Sequence, residues 1–418
     1  MSSPVLCFLH IPKTAGSTLR AWLENHLPHD TSLVMPEGAA APAPEALAGR
    51  CLLSGHYASD TLRLVARKSC LRLAVIRDPY DRFVSWAAHS ARLQDPGLAY
   101  RAAAALGTEV FHEPHAYELF QSHWLHRALR GDAADTRLPA AEELPGLLDE
   151  VDLVGTTEHL DRFMQLVAFS LGWTPPPSSW RLNRAPKPHA PRADAADIRS
   201  HLALDQALYD HVASRFAARY AAMLNRILPG RDFSGVDAFS LSFDTVQDAL
   251  RAYFEESAPL SAVDRFFTTA DSPLQGEGWW WREKPLDYAY RWSGPEPVST
   301  FYLPALQPGQ SYTLLLEFMA VASNAIWDSL EVRCNDRAVS IMREFLPHAA
   351  AHEPKYLVFA DLEPAMLVGG VNCIELRVSS TVQALSETLV SESLDTVNRD
   401  LRPVALCLHS VGCFPRAA

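Results

Sequence analysis

Paired cysteines, long apolar runs and a surplus of basic residues are all missing from this chain. Seven cysteines are scattered through 418 residues, odd in number and nowhere spaced Cys-x-x-Cys. Neither a disulfide framework nor a thiolate zinc site is therefore written in the sequence. No stretch approaches the ~20 apolar residues of a membrane helix. The start also lacks the charged head and long apolar core of a signal peptide, since its apolar run is only Val5 to Leu9 before Lys13. These absences predict a soluble, cytoplasmic protein with reduced thiols. The formal net charge of −12 argues against a nucleic-acid partner, because binding a polyphosphate requires a basic face. It also disfavours a strongly polyanionic acceptor, while leaving room for an anion held by a local loop. The pairs His112/His115 and His123/His126 match no recognised zinc spacing, so no metal is expected.

One further absence is informative. No glycine precedes Lys13, so the order G-x-x-x-x-G-K-[ST] of nucleotide hydrolases, and its place for magnesium, are not present. What stands there instead is Phe8-Leu9-His10-Ile11-Pro12-Lys13-Thr14-Ala15-Gly16-Ser17-Thr18. Val5 to Leu9 reads as a buried strand, and Leu19 to Leu23 as a helix beginning. A strand, a loop of small and hydroxyl residues, and a helix N-terminus together make a cradle for a phosphate. The loop presents backbone N–H groups, and the helix dipole favours negative charge. A second segment repeats the idea: Leu71 to Ile76 reads as a strand, followed by Arg77-Asp78-Pro79-Tyr80-Asp81-Arg82-Phe83-Val84-Ser85. Asp78 is a good N-cap and Pro79 suits the first helical position. Arg77 then lies at the carboxyl end of a strand, where open α/β sheets bind ligands. Ser85 follows about two turns into the helix. An Arg fork with a hydroxyl suits a phosphate monoester, although Arg77 paired with Asp81 is the plainer alternative.

Taken together, "H-I-P-K-T-A-G-S-T" and "I-R-D-P-Y-D-R-F-V-S" resemble the two cofactor motifs of sulfotransferases that use 3′-phosphoadenosine 5′-phosphosulfate (PAPS). The resemblance is to the Golgi-type carbohydrate enzymes, in particular the heparan/uronyl 2-O-sulfotransferase branch, and it covers roughly the first 230 residues. It implies a P-loop-like parallel sheet flanked by helices. It implies that Lys13, Thr14, Ala15, Gly16, Ser17 and Thr18 hold the 5′-phosphosulfate, and that Arg77 and Ser85 hold the 3′-phosphate. The Gly55-His56 pair matches the branch's catalytic histidine, so His56 is the implied base. An imidazole titrating near neutrality suits that role, and Lys13 suits stabilisation of the departing phosphate. Where the branch can carry a second histidine, this chain has Ser54. Glu109 and Glu113 are the local substitutes if the base is a carboxylate. His10 reads as a structural residue behind the loop. Asn183, Arg184 and Lys187, in a Pro-punctuated basic stretch, correspond to a cofactor-covering loop. The family's Golgi anchor has no counterpart, which fits a soluble bacterial member.

The remaining segments frame this site. Glu113 to Arg130 reads as a helix lining an acceptor cleft, with Tyr117, Gln121 and His123 as sugar contacts. Val151 to Leu160 reads as strand, turn and helix, and Asp197 to Leu228 as one long amphipathic helix. The chain at 418 residues suggests two domains, drawn as 1–232, a linker with a short helix at 233–265, and 266–418. The last part reads as strands at Tyr312 to Phe318, Leu330 to Cys334, Tyr356 to Phe359 and Asn372 to Val378, the last alternating cleanly, with Val404 to Val411 as a closing strand, and predicts a jelly-roll-like β-sandwich. Its Trp279-Trp280-Trp281 run, with Tyr288, Tyr290 and Trp292, reads mostly as core fill, with exposed sugar platforms as the alternative. Arg-Trp-Ser-Gly early and Asn-Arg-Asp-Leu-Arg-Pro late resemble accessory sandwiches of bacterial glycan-assembly enzymes. The expected activity is sulfuryl transfer from PAPS to a saccharide hydroxyl. An ATP-dependent kinase-like phosphoryl transferase and a non-catalytic glycan-binding scaffold are the competing readings.

Overall fold

The computed structural model describes residues 5–27, 31–35, 39–65, 70–90, 108–113, 115–131, 135–173, 195–234, 237–257, 262–272, 274, 276–280, 282–283, 288–350, 352–383 and 403–416. Two compact units result. One holds residues 1–20, 30–175 and 181–250, and the other holds 251–418 with 21–29 and 176–180.

The first unit is built on a five-stranded, wholly parallel sheet. Its strands are β1 (Val5–Leu9), β2 (Ser32–Met35), β3 (Leu52–Gly55), β4 (Cys70–Ile76) and β5 (Leu153–Thr156), in the order β2-β3-β1-β4-β5. Strands covered on both faces carry unbroken apolar runs, as the buried Leu6 to Leu9 and Leu73 to Ile76 do. The central β1 has β3 on one side and β4 on the other, which makes its carboxyl end the place where the chain changes direction across the sheet. Register decides what meets there. Leu9 lies opposite both Gly55 and Ala74, so His10, His56 and Arg77 all leave the sheet at one edge.

Helices α1 (Gly16–Asn25), α2 (Ser59–Arg63), α3 (Pro79–Ser90), α4 (Gln121–Leu129), α5 (Leu144–Asp149), α6 (Leu160–Leu171), α7 (Ala195–His201), α8 (Ala203–Ile227) and α9 (Phe243–Ser257) complete this unit and its border. The expected cap of α3 is present: the Asp81 N–H donates to Asp78 Oδ1 at 2.9 Å. Two helix readings need correction. The span from Glu113 to Arg130 is not one helix, because only Gln121–Leu129 is α-helical, after short 3₁₀ turns at Glu109–His112 and Ala116–Leu119. The carbonyls of Glu118 and Leu119 are taken by Arg82, and Trp124 Nε1 donates to the Glu118 carbonyl at 2.9 Å. Phe120 is extended as a result. The long helix from Asp197 is also broken, at Leu202. Leu202 and Leu208 are both buried although six residues, about one and two-thirds turns, separate them. The break brings both inward.

Asp205, in the first turn of α8, shows why the break is kept. It is buried and accepts from the N–H groups of Gln121 (2.6 Å) and Ser122 (2.9 Å) and from Ser122 Oγ (2.7 Å), capping the start of α4. Burial pushes its carboxyl up from the usual range, and the charge of Arg82 opposes that.

The second unit is a sandwich of two antiparallel sheets. One has six strands: β6 (Phe266–Thr269), β7 (Arg291–Trp292), β9 (Tyr312–Val321), β12 (Ile341–Phe345), β13 (Tyr356–Leu362) and β17 (Leu406–Pro415). Their order is β12-β13-β9-β17-β6, with β7 also on β17. The other has four: β8 (Val298–Leu303), β10 (Glu331–Cys334), β11 (Arg337–Val339) and β14 (Asn372–Arg377), ordered β11-β10-β14-β8. A short antiparallel pair, β15 (Val382–Gln383) and β16 (Pro403–Val404), stands apart from both. Alternate residues of the two larger sheets share one core, among them Phe301, Leu314, Leu316, Phe318, Val332, Val358, Ile374 and Leu376. Trp279 and Trp280 are buried, and their indole N–H groups donate to the carbonyls of Thr300 (2.7 Å) and Pro403 (2.8 Å). They are core, in line with the expectation for most of that aromatic run, while Trp281 lies outside the described residues.

Asp205→Ala strands two N–H groups and the Ser122 hydroxyl and removes the negative charge near the buried Arg82. It is expected to lower the unfolding free energy by about 3 kcal/mol, with Asp205→Asn losing less. Urea denaturation checks this, and an unchanged midpoint in Asp205→Ala contradicts it.

Candidate functional site

The loop between β1 and α1 is held by its own side chains. Thr14 Oγ1 donates to the Ile11 carbonyl at 2.9 Å, and Ile11 is buried beneath. Lys13 (φ 69°) and Ala15 (φ 61°) both occupy the left-handed region, which costs roughly 1–2 kcal/mol for a residue with a Cβ. A strained backbone of this kind turns successive N–H groups toward one point, as anion-binding nests do. The Thr18 and Leu19 N–H groups bond the Ala15 carbonyl at 3.0 and 3.2 Å. Those of Gly16 and Ser17 stand ahead of the helical ladder, as the first N–H groups of any helix do.

Arg82 holds this loop from below. Its side chain is 1% exposed, and Nε donates to the Pro12 carbonyl at 2.9 Å. Its other nitrogens reach the carbonyls of Leu119 and, at 3.4 Å, Glu118. Burial lowers its pKa to about 10, partly offset by Asp205, so it stays charged at neutral pH. Arg77 comes from the next strand end, and its Nη1 lies 3.4 Å from the Lys13 carbonyl. Its main chain is clamped by Gln121, which accepts from the Arg77 N–H at 2.8 Å and donates to the Arg77 carbonyl at 2.7 Å.

His56 leaves β3 beside the loop. The Gly55 before it has φ 138°, and a Cβ there would stand 2.0 Å from the Met35 carbonyl oxygen, so only glycine permits this exit. The His56 ring stacks on His10 (centroids 4.5 Å, 27°) and meets the edge of Trp124 (5.5 Å, 62°). Its Nδ1 is shut from solvent without a well-aligned partner among the described residues. The pKa is lowered to about 4, first by burial, then by the charges of Arg127, Arg20 and Arg82, with the His10 main chain opposing. That of His10 is lowered to about 3 by burial, His56, Arg20 and Lys13. Both rings are neutral at pH 7.

The sequence-predicted residues thus fall into groups. Lys13, Ala15, Gly16, Ser17, His56 and Arg77 converge on the carboxyl edge of β1, β3 and β4. Thr14 and Thr18 are in the same loop, but their side chains are buried; Thr14 can offer an anion only its main chain, and the Thr18 N–H is already taken by the Ala15 carbonyl. Ser85 is half-buried on α3. Glu109 and Glu113 are exposed, on or beside a 3₁₀ turn. Asn183, Arg184 and Lys187 lie outside the described residues. Gln121 is no sugar contact, since it is buried against the Arg77 main chain. His123 is likewise buried, with its Nδ1 at 3.1 Å from the Arg137 carbonyl. Sequence reasoning missed Arg82, Arg20, Arg127 and Asp205. Only Asp205 carried a signal, as an acid on the apolar stripe of Ile198, Leu202 and Val212. Among the described residues no group of three or more His, Cys, Asp or Glu is placed to hold a metal, and no helix is long and apolar enough to cross a membrane.

No protein-family model matches the chain, and no curated protein matches it. Among solved structures, a sulfotransferase from Alicyclobacillus acidocaldarius is similar at 15% identity and a TM-score of 0.27, over 54% of this chain and 97% of that one. A family 35 carbohydrate-binding module from Clostridium thermocellum is similar at 11% identity and a TM-score of 0.24, over 37% of this chain and 100% of that one. A CBM35 from Paenibacillus barcinonensis gives 10% identity and a TM-score of 0.22, over 37% and 99%. Scores this low assign no family, and function has to be reasoned from the chain's own residues.

The two imidazoles also fix a stability trend. Both pKa values are lower folded than unfolded, so the unfolded chain binds more protons below about pH 6.5. Their contribution is complete above that pH and is lost as pH falls, toward about 4 for His56 and about 3 for His10. Urea midpoints should drop across this window, and less steeply in His10→Phe than in the parent chain.

Proposed function

We propose that this chain is a sulfotransferase that moves the sulfuryl group of PAPS to a saccharide hydroxyl. The observation that carries the reading is the shared strand edge. A left-handed loop with Lys13, the guanidinium of Arg77 on that loop's carbonyl, and a neutral His56 beside it supply an anion cradle, a second cation and a base in one place. The chain is acidic overall, at −12, yet Lys13, Arg20, Arg77, Arg82 and Arg127 gather here, as a donor with several negative charges requires.

The residues fit such a donor in distinct ways. The N–H groups from Lys13 to Ser17 would take the 5′-phosphosulfate, and Arg77 with Ser85 the 3′-phosphate. His56 removes the proton of the acceptor hydroxyl. Its oxygen then bonds to sulfur as the bond from sulfur to the bridging phosphate oxygen breaks. Lys13 meets the charge that collects on that oxygen. A low imidazole pKa keeps the base unprotonated at working pH, at the cost of proton affinity. The burden on an anion-stabilising loop grows accordingly.

Calorimetry should show adenosine 3′,5′-bisphosphate binding in preference to ATP, without added magnesium. His56→Ala should lower transfer from PAPS by about 10²–10⁴-fold while binding of the bisphosphate stays within a few-fold of the parent. Preference for ATP, or full transfer by His56→Ala, refutes the assignment.

A further inference from the structure

His10 stands between the two working parts of the site and belongs to neither. It leaves β1 directly opposite the Gly55-His56 step, with its N–H on the Gly55 carbonyl at 3.2 Å. One face of its ring covers His56, at 4.5 Å between centroids. Its Cδ2–Nε2 edge lies against the first residue of α1: a Cβ built on Gly16 would stand 1.9 Å from both atoms. Gly16 has no left-handed φ, so space for this ring, and not backbone freedom, is what glycine supplies here. Phe8 stacks behind His10 at 5.5 Å and Trp124 closes the far side of His56 at 5.5 Å. The four rings form a row that starts on β1 and ends at α4, with the loop pressed against its second member.

We propose that His10 is the positioning residue of this site, a spacer that locks the His56 ring in place and ties its position to the first turn of α1. This rests on the reading of His56 as the base, and deepens it. A displaced loop moves Gly16, Gly16 moves the His10 ring, and the His10 ring is the surface on which His56 rests. The charges facing the two rings come from every element around them: Lys13 in the loop, Arg20 on α1, Arg82 on α3 and Arg127 on α4. His56 is kept from solvent by the same stack, so its titration reports whether the stack is intact.

The experiment uses the full chain and two readouts. The first is the pH titration of the His56 ring by NMR, assigned with His56→Gln and requiring no donor or acceptor. The second is kcat/KM for sulfuryl transfer against pH. In His10→Ala the imidazole is hydrated, and its titration should move upward from about 4 toward the ordinary histidine value of about 6.5. Gly16→Ala, whose new methyl drives the ring away, should do the same. Both should lose at least about tenfold in kcat/KM, with the acid limb displaced the same way. His10→Phe keeps a flat ring in the slot and should restore the low titration and most of the rate. If His56 in His10→Ala titrates as in the parent, His10 does not position it. The proposal fails equally if His10→Phe behaves like His10→Ala. Should the chain transfer no sulfuryl group at all, the NMR titration still decides about His10, while the enzymatic reading falls alone.

Discussion

A buried guanidinium organises the site. Arg82 sits where water cannot reach it, and a buried charge persists only if the surrounding polar groups are aimed at it. The carbonyls of Pro12, Glu118 and Leu119 are those groups, with the Asp205 carboxylate contributing from α8. Each tie has a structural consequence. The one to Pro12 fixes the floor of the loop just before its first left-handed residue, Lys13. Those to Glu118 and Leu119 withdraw two carbonyls from helix formation, so that α4 begins only at Gln121. Gln121 is then in place to clamp the Arg77 main chain from both sides. The loop after β1 and the Arg77 main chain are therefore set by one charge whose nitrogens bond the protein's own carbonyls.

Much of this was legible in the residues and some was not. The strands at Val5–Leu9 and Cys70–Ile76 showed through because a parallel strand buried on both faces must be apolar throughout. The cap at Asp78-Pro79 showed because its chemistry is local. Ser32–Met35 and Leu52–Gly55 did not show as strands. Each is four residues long, too short for any period to declare itself, and parallel pairing is decided by distant partners. The segment from Glu113 to Arg130 misled for a related reason. Its composition suits a helix, but the groups that interrupt it belong to Arg82, 36 and 37 residues before the carbonyls it takes, and no local rule sees them.

The sandwich divides in the same way. Asn372–Arg377 alternates cleanly because one face is core and the other is open. Ile341–Phe345 escaped notice because it is an edge strand whose residues are nearly all exposed, so burial imposes no alternation on it. The tandem tryptophans were ambiguous by nature, since an indole serves equally well in a core or as a platform. What resolved them is the polar end of each ring. Trp279 and Trp280 each find a backbone carbonyl, which is how a large aromatic with an N–H is buried without loss.

Electrostatics at the site run against the chain's overall charge, and the histidine illustrates why. Burial and three arginines keep the His56 imidazole neutral, which makes it available as a base but a weak one. Nearby positive charge contributes to that weakness, and it is also what an anionic donor neutralises. In the proposed reaction, an anion bound at the loop would relieve the cationic field that helps hold the imidazole pKa down, and the base would strengthen once the donor is in place. His10 experiences the field of Lys13 and Arg20 directly and touches both the loop and the base. Gly16, at the start of α1, leaves room for the His10 ring, and through that ring the loop and His56 pack on a single scaffold.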